Sequence, residues 1–166
     1  MALHYLVDGY NIVKSLPDLA DKPIDAGRLT LIRWLEIYRP QGSSKNLVTI
    51  VFDGQSGIDH VQTPSSVKVI FSQDESADDK IRKIVEDSDF KKRLVVVTDD
   101  RELKFSVRAL GASVMAVKDF LAQAKPRGQS EVPGTGQKNK PETEKYISKT
   151  VEYKINAELE KIWLKK

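Results

Sequence analysis

The sequence of 166 residues contains no cysteine and only two histidines, His4 and His60. Without cysteine the chain can form no disulfide, no thiol nucleophile and no thiolate-bound zinc site. The scarcity of histidine argues against a histidine-built metal site, so oxygen ligands and hence Mg²⁺ or Mn²⁺ are favoured. The lack of disulfides suits a reducing cytoplasm, which is the location we expect.

Long apolar runs are also missing, since no stretch approaches the roughly 18 residues that indicate a membrane-spanning helix. The first residues, MALHYLVDGYN, lack the basic region and the cleavage site of a signal peptide. A G-x-x-x-x-G-K-[ST] sequence does not occur, which argues against a P-loop nucleotide enzyme. From the absence of long apolar runs we expect no contact with a membrane.

The net charge of +3 is unevenly distributed along the chain. Residues 1–124 carry 17 basic and 18 acidic side chains, whereas residues 125–166 carry 10 basic and 6 acidic ones. The positive excess therefore lies in the C-terminal segment, where it favours contact with a polyanion such as nucleic acid. A solvated charged tail is the more ordinary interpretation of the same composition.

Segments typical of strands and of helices alternate along the chain. Apolar runs predict strands at 3–8, 46–54, 67–71, 93–100 and 112–117. Helical patterns lie at 27–38, which Asp25 would cap, and at 76–88, 101–111 and 118–124, whereas SLPDLADKP predicts a loop. This alternation predicts an α/β fold with a mainly parallel sheet of about five strands covered on both faces.

The composition changes after residue 124 and divides the chain. Residues 125–144 are rich in Pro, Gly and polar residues and predict a flexible linker. Residues 145–166 predict a basic amphipathic helix, with one apolar stripe at Ile147, Val151, Ile155, Leu159 and Trp163. This helix either docks on its own domain, docks on a second copy to form a homodimer, or serves as a partner- or RNA-binding arm.

Aspartates stand at the ends of three predicted strands: Asp8, Asp53 and the pair Asp99-Asp100. Because the carboxyl ends of parallel strands meet at one edge of a sheet, these carboxylates should share a crevice. A single aspartate at such a place is usually a turn residue or a helix cap. Three strands that end alike make a shared site the better interpretation, and Gly9 would let the chain turn sharply there.

Helical spacing separates the two acids of the SADD stretch. Ser76 and Asp79 match an N-cap pair, whereas Asp78 falls on the inward face with Ile81 and Val85. An inward carboxylate is costly unless a cation or a donor meets it. The alternative for Asp78 is a capping charge that the helix dipole favours.

The same argument separates Asp99 from Asp100. Asp99 and Glu102 fit a capping box for the helix that follows, whereas Asp100 aligns with Leu103 and Val107 on the core side. We therefore expect Asp100, and not Asp99, to face the shared crevice.

Four carboxylates around one crevice raise one another's pKa unless a cation compensates them. A hard divalent cation held by such oxygens suits phosphodiester hydrolysis, since it activates water and binds phosphate. Acid catalysis without metal would suggest glycoside hydrolysis instead, but nothing in the sequence indicates a sugar cleft with stacking aromatic residues.

Four segments carry a resemblance to a known family: VDGYN (7–11), VFDG (51–54), ESADDKI (75–81) and VVTDDRE (96–102). In this order and spacing they resemble the YacP-like branch of the NYN domains, a PIN-like group of bacterial endoribonucleases. The resemblance covers roughly residues 3–122 and implies a PIN-like three-layer α/β sandwich, so that residues 1–124 form the nuclease domain. It also implies an RNase that depends on Mg²⁺ or Mn²⁺ and, in some members, action on mRNA at the ribosome. The segment from 125 onward departs from the compact family pattern.

By position, the resemblance assigns catalytic roles to Asp8, Asn11, Asp53, Asp78 and Asp100. The four aspartates of this set would hold the metal, with Thr98 and Asp99 in support. Asn11 either orients water or metal through its amide oxygen or caps the following turn.

Basic and aromatic residues near these positions are candidates for contact with RNA: Lys14, Arg28, Arg33, Arg101, Lys104, Arg108 and Tyr10. Arg101, Lys104 and Arg108 are the best of them, because their spacing places all three on one helix face. Each basic residue alone is more often an ordinary surface charge, and Tyr10 more often packs than stacks on a base.

The leading hypothesis is thus a metal-dependent endoribonuclease that prefers single-stranded RNA. The alternative is a non-catalytic RNA- or ribosome-binding module on the same fold, although a binder gains nothing from negative charge that faces phosphates. A phospho-acceptor receiver domain is a third candidate. It requires an acidic pair after the first strand, where Asp8 stands alone, although Lys118 does follow the fifth strand.

Overall fold

The computed structural model describes residues 1–55 and 67–124; the predicted linker at 125–144 and the helix at 145–166 lie outside the described residues. The strands are β1 (His4–Asp8), β2 (Leu47–Phe52), β3 (Val67–Phe71), β4 (Leu94–Val97) and β5 (Ser113–Met115). The helices are α1 (Gly9–Ser15), α2 (Pro17–Ala20), α3 (Ile24–Tyr38), α4 (Ala77–Glu86), α5 (Arg101–Ala109) and α6 (Val117–Ala122). None of these helices is long and apolar enough to cross a membrane.

The strands form one sheet in which every described pair is parallel, with the order β3-β2-β1-β4-β5. Its central strands are continuous apolar runs, and residues such as Leu6, Val7, Ile50 and Val96 have no exposed surface. Such runs are typical of parallel strands that are buried on both faces. The predicted α/β fold with a parallel sheet is therefore confirmed.

Helices cover both faces of the sheet and produce three layers. Helices α4 and α5 pack on one face, around a buried cluster that includes Leu6, Val51, Ile81 and Val107. On the other face α1 contacts β2 and α3 contacts β3, while the ring of Phe120 on α6 lies 5.5 Å from that of Tyr5. This is the three-layer sandwich that the resemblance implies.

The order of the strands determines where a crevice forms. The chain runs from β1 outward to β3 on one side and then returns to place β4 and β5 on the other. In open α/β sheets ligands bind at such a reversal, beyond the carboxyl ends of the strands. Strand β1 ends on Asp8 and β4 is followed by Thr98, so these two residues flank the reversal.

The predicted loop at 15–23 is wrong, because α1 and α2 occupy most of the chain between β1 and α3. Helix α1 begins where the Asp8 side chain accepts a hydrogen bond from the main chain of Asn11, and α2 begins at Pro17. Asp25 is not the cap of α3 either. This helix starts at Ile24 without a side-chain cap, and Asp25 lies in its first turn.

Gly9 is needed for space and not for a sharp turn, which corrects the expectation from the sequence. It is the first residue of α1, and its φ is not among the positive values of the chain. A Cβ atom at this position would collide with the ring of Phe52 and press on Ile50. The main chain of α1 therefore approaches β2 as closely as only glycine permits.

Gly9→Ala should lower the free energy of unfolding by about 1–3 kcal/mol, because the added methyl group overpacks a buried ring. Gly27→Ala is the matched control. Gly27 lies in α3, where an added Cβ would meet its nearest atoms at 3.5 and 3.6 Å, which are ordinary contact distances. Alanine should be neutral or stabilising there. Urea unfolding of both variants measures the difference, and equal stabilities would contradict the close approach at Gly9.

Candidate active site

Four aspartates converge at the carboxyl ends of the central strands, and we call Asp8, Asp53, Asp78 and Asp100 the aspartate cluster. Asp8 ends β1, Asp53 follows β2, Asp100 follows β4, and Asp78 lies in the first turn of α4. The charges of the other three all act on Asp78 and raise its pKa. The fold thus brings together the acids that the sequence predicts to share a crevice.

Asp8 is almost completely buried, with an exposed fraction of 3%. Its Oδ1 accepts a hydrogen bond from the Asn11 N–H at 3.2 Å, and its Oδ2 accepts from Asn11 Nδ2 at 2.5 Å. Burial raises the pKa of Asp8, and the charge of Asp53 raises it further, while the hydrogen bonds from Asn11 and Thr98 lower it. Both oxygens of this carboxylate are therefore fixed in place, and Asn11 is the residue that fixes them.

Thr98 links the ends of β1 and β4. Its side chain is fully buried, its Oγ1 donates to Asp8 Oδ2 at 3.2 Å, and the same oxygen accepts from the Asp100 N–H at 3.1 Å. One hydroxyl group therefore sets the position of Asp8 relative to the main chain of Asp100. The supporting role in catalysis that the resemblance implies for Thr98 stays a prediction.

Asp100, and not Asp99, caps α5, so the predicted capping box of Asp99 and Glu102 is wrong. The Asp100 Oδ1 accepts from the Leu103 N–H at 2.7 Å. Asp99 is exposed, and its Oδ1 accepts from the Val117 N–H at 3.2 Å and lies 3.5 Å from Lys104 Nζ. Asp99 thus ties α6 and α5 together, whereas the charge of Asp100 acts on the cluster.

Asp53 joins the end of β2 to the start of α4. Its side chain is exposed at the crevice, and its Oδ1 accepts from the Ala77 N–H at 2.6 Å. Its main-chain oxygen accepts from an Nη atom of Arg28 at 2.8 Å. Asp53 is therefore held from both its side chain and its main chain.

Arg28 is a buried support of the site and not part of a surface path for phosphates. Its guanidinium carbon lies 5.9, 5.4 and 5.1 Å from the ring centres of Tyr10, Phe52 and Phe71, and it pairs with Asp25 at 3.2 Å. The sequence does indicate that Arg28 is buried. Its spacing from Leu31, Ile32 and Leu35 is i, i+3, i+4 and i+7, which places it on the inward stripe of α3.

Asp78 is the member of the cluster with the weakest local support. Its pKa is raised to about 6, first by burial, then by the charges of Asp8, Asp100 and Asp53, while Arg82 acts in the opposite direction. Within the described residues no group donates a hydrogen bond to its carboxylate. The predicted cap of α4 is confirmed, since Ser76 accepts from the Asp79 N–H at 3.0 Å.

The donor set of the cluster consists of carboxylate oxygens, the ligand type that a hard divalent cation prefers. Asp53 and Asp100 each commit Oδ1 to a main-chain N–H, and neither Oδ2 accepts a hydrogen bond from a described residue. In the part of the chain that is described, no three Asp, Glu or His side chains are grouped tightly enough to enclose a metal ion. Mg²⁺ does not require such a cage, because it retains several waters and binds through one or two carboxylates.

The predicted RNA contacts differ in how freely they reach solvent. Arg101 and Arg108 are exposed on α5, whereas Lys104 is partly covered and lies beside Asp99. Lys14 is exposed in the last turn of α1, away from the end of that helix at the cluster. Tyr10 packs edge-to-face on Phe52, with 6.2 Å between ring centres, so the geometry favours its packing role over base stacking.

Comparisons with a family model and with a known relative identify the same family. The family model described as YacP-like NYN domain matches residues 5–163. The Bacillus subtilis (strain 168) protein named "Uncharacterized protein YacP" is 30% identical over 125 residues, which span 71% of this chain and 72% of that protein. The matched range continues well beyond residue 122, so the expectation that the C-terminal segment departs from the family pattern is wrong.

Solved structures match as well. The crystal structure of Rae1 (YacP) from Bacillus subtilis has a TM-score of 0.63 and 25% identity, covering 98% of this chain and 82% of that one. Its W164L mutant has a TM-score of 0.59 and 23% identity, covering 98% and 85%. The fold and the family model lead to the same assignment, and the chain belongs to the YacP-like NYN domain family.

Proposed function

We propose that this protein is a metal-dependent endoribonuclease that hydrolyses phosphodiester bonds in single-stranded RNA, with Mg²⁺ or Mn²⁺ held at the aspartate cluster. Its family and its PIN-like fold are of the nuclease type. The observation that carries the proposal is the convergence of four carboxylates at one end of the sheet, where burial and then the charges of Asp8, Asp100 and Asp53 raise the pKa of Asp78. Like charges that act on one another are costly without a compensating cation, and a hard divalent cation is the partner that carboxylate oxygens prefer.

The residues of the cluster divide the work of binding a cation and placing it. Asp78 and the Oδ2 atoms of Asp53 and Asp100 would hold the ion directly or through its waters. Asp8 would contribute its negative charge from a fixed position, because Asn11 and Thr98 fix both of its oxygens. When bound, the cation supplies activation of the attacking water and neutralisation of charge on the phosphate.

The protein's own groups orient the site. Thr98 keeps Asp8 and Asp100 in register, and Arg28 keeps the end of β2 in place through the main-chain oxygen of Asp53. In the absence of a cation, Asp78 retains a proton up to a pH of about 6. RNA is the proposed substrate, and association with the ribosome, a homodimer through residues 145–166 and a cytoplasmic location stay predictions.

Asp8→Asn and Asp100→Asn should each reduce cleavage of single-stranded RNA at least about a hundredfold, since each removes a negative charge from the cluster. Asp99→Asn is the matched control and should stay within a few fold of wild type, because Asp99 binds Val117 and Lys104. The assay measures cleavage with Mn²⁺ or Mg²⁺ and with EDTA, and unfolding curves verify that each variant is folded. RNA binding without cleavage in wild type would support the non-catalytic module instead.

Thr98→Val should reduce cleavage about 10- to 100-fold while RNA affinity is retained, because a supporting hydrogen bond to the site is lost at nearly constant volume. Thr98→Ser keeps the hydroxyl group and should restore most of the activity. Single-turnover rates and binding measured in EDTA separate the two effects. If valine and serine had equal cleavage rates, the hydroxyl group would have no positioning role.

Asp78→Asn should change how the stability of the metal-free protein depends on pH. The folded pKa of about 6 lies above the ordinary value of 3.8, so the folded state binds this proton more tightly than the unfolded state. The contribution of the Asp78 proton to the free energy of unfolding is complete below pH 3.8 and is lost as the pH rises through about 6. We therefore expect the stability of wild type in EDTA to fall across this window.

The Asn variant should show a smaller fall than wild type and should be the more stable protein at pH 8, because the repulsion is removed. Mg²⁺ should stabilise wild type at pH 8 more than the variant. Asp89→Asn, at an exposed position away from the cluster, is the control and should keep the slope of wild type. If the stability of Asp78→Asn fell with pH as steeply as that of wild type, Asp78 would not be the source of this pH dependence.

A further inference from the structure

Phe105 is the most exposed large apolar side chain after Met1 among the described residues, with an exposed fraction of 79%. It lies on α5 directly opposite the buried residues Leu103 and Val107. Single exposed apolar residues are common and by themselves indicate nothing. Its surroundings are what distinguish Phe105.

Two arginines flank this ring on the helix surface. Arg101 lies one turn before Phe105 and Arg108 one turn after it, at i−4 and i+3, which are the nearest surface neighbours on a helix. Both are exposed, and among the described residues no carboxylate lies within ion-pair distance of either. The nearby Glu102 faces Arg82 at 3.6 Å, so its charge is partly offset. The face therefore combines an aromatic ring with two free positive charges.

A second exposed phenylalanine provides a contrast. Phe90 is 62% exposed, but the guanidinium carbon of Arg93 lies 4.9 Å from its ring centre and covers one face. Among the described residues no cation and no other ring lies over Phe105. The ring of Phe105 is thus free to accept a planar group.

The position of Phe105 relative to the cluster is set by the helix that carries both. Asp100 caps α5 and Phe105 follows five residues later, so about 7.5 Å of helix axis separates them. The ring and the cluster are therefore close enough for one short single-stranded segment to contact both.

We propose that Phe105 is a stacking platform for a base of single-stranded RNA, whose backbone follows Arg101 and Arg108 away from the aspartate cluster. This inference rests on the proposed function and identifies the surface along which the RNA strand extends from the cluster. Exposed aromatic rings beside positive charge are how proteins hold single strands without reading their sequence. Lys104 contributes less than its two neighbours, because it lies beside Asp99 at 3.5 Å and is partly covered.

The experiment measures binding of a fluorescent 12-nucleotide oligouridine by anisotropy in EDTA, where metal-dependent cleavage cannot occur. Phe105→Ala should weaken binding roughly 5- to 100-fold, which corresponds to the loss of one stacked base. Phe105→Trp should retain or improve the affinity, and Phe105→Leu should be as weak as the alanine variant, since a planar ring is required. Phe90→Ala is the matched control and should bind as wild type does.

The salt dependence separates stacking from charge. Phe105→Ala should keep the slope of log affinity against log salt, whereas Arg101→Gln with Arg108→Gln should reduce it by about 0.7 for each lost phosphate contact. Wild-type affinity in Phe105→Ala, or in Phe105→Leu, would overturn the proposal. So would an alanine variant that keeps its RNA affinity but changes the oligomeric state, because a second copy of the chain would then be the partner of this face.

The two proposals fail in different ways. If wild type cleaves RNA in an Asp100-dependent manner but Phe105→Ala binds normally, only the stacking platform is wrong. If wild type binds RNA through Phe105 but does not cleave it under any metal condition, only the nuclease activity is wrong. Absence of any RNA binding by wild type would overturn both.

Discussion

The carboxylates of the aspartate cluster repel one another, and the site depends on how this repulsion is offset. Main-chain N–H groups at the starts of helices offset it. Asp8, Asp53 and Asp100 each accept a hydrogen bond from such a group, at the first turns of α1, α4 and α5. These N–H groups have no partner within their own helices and carry partial positive charge. The interactions that begin three helices are therefore the same ones that hold three carboxylates together.

This arrangement leaves Asp78 in a different position from the other members. It lies on α4 within the field of the cluster, but no described residue donates a hydrogen bond to its carboxylate, and Arg82 offsets the repulsion only in part. Burial first, and then the charges of Asp8, Asp100 and Asp53, raise its pKa to about 6. In the proposed function, a cation beside Asp78 would offset the part of this shift that comes from neighbouring charge.

The sequence was sufficient to predict the sheet and the cluster, because long apolar strands and amphipathic helices such as α4 leave strong periodic signals. It failed where the signals are short or ambiguous. Helix α1 has seven residues, too few for a periodic pattern, and was missed. Asp99 and Asp100 both match the signature of a helix cap, and only the bond from Leu103 decides between them. The spacing of Arg28 on α3 indicates that it is buried, but its hydrogen bond to the end of β2 is a contact that no local pattern encodes.

A negative cluster cannot by itself attract a polyanion, so in the proposed function the affinity for RNA must come from elsewhere on the surface. Helix α5 offers a solution, because it starts at Asp100 and presents Arg101, Phe105 and Arg108 to solvent beyond it. Cleavage and binding then depend on opposite charges carried by one rigid element, and the rise of that helix fixes the distance between them. Since the repulsive end is also the end that a cation would neutralise in the proposed function, metal binding would favour the approach of phosphate from the side on which Arg101 and Arg108 lie.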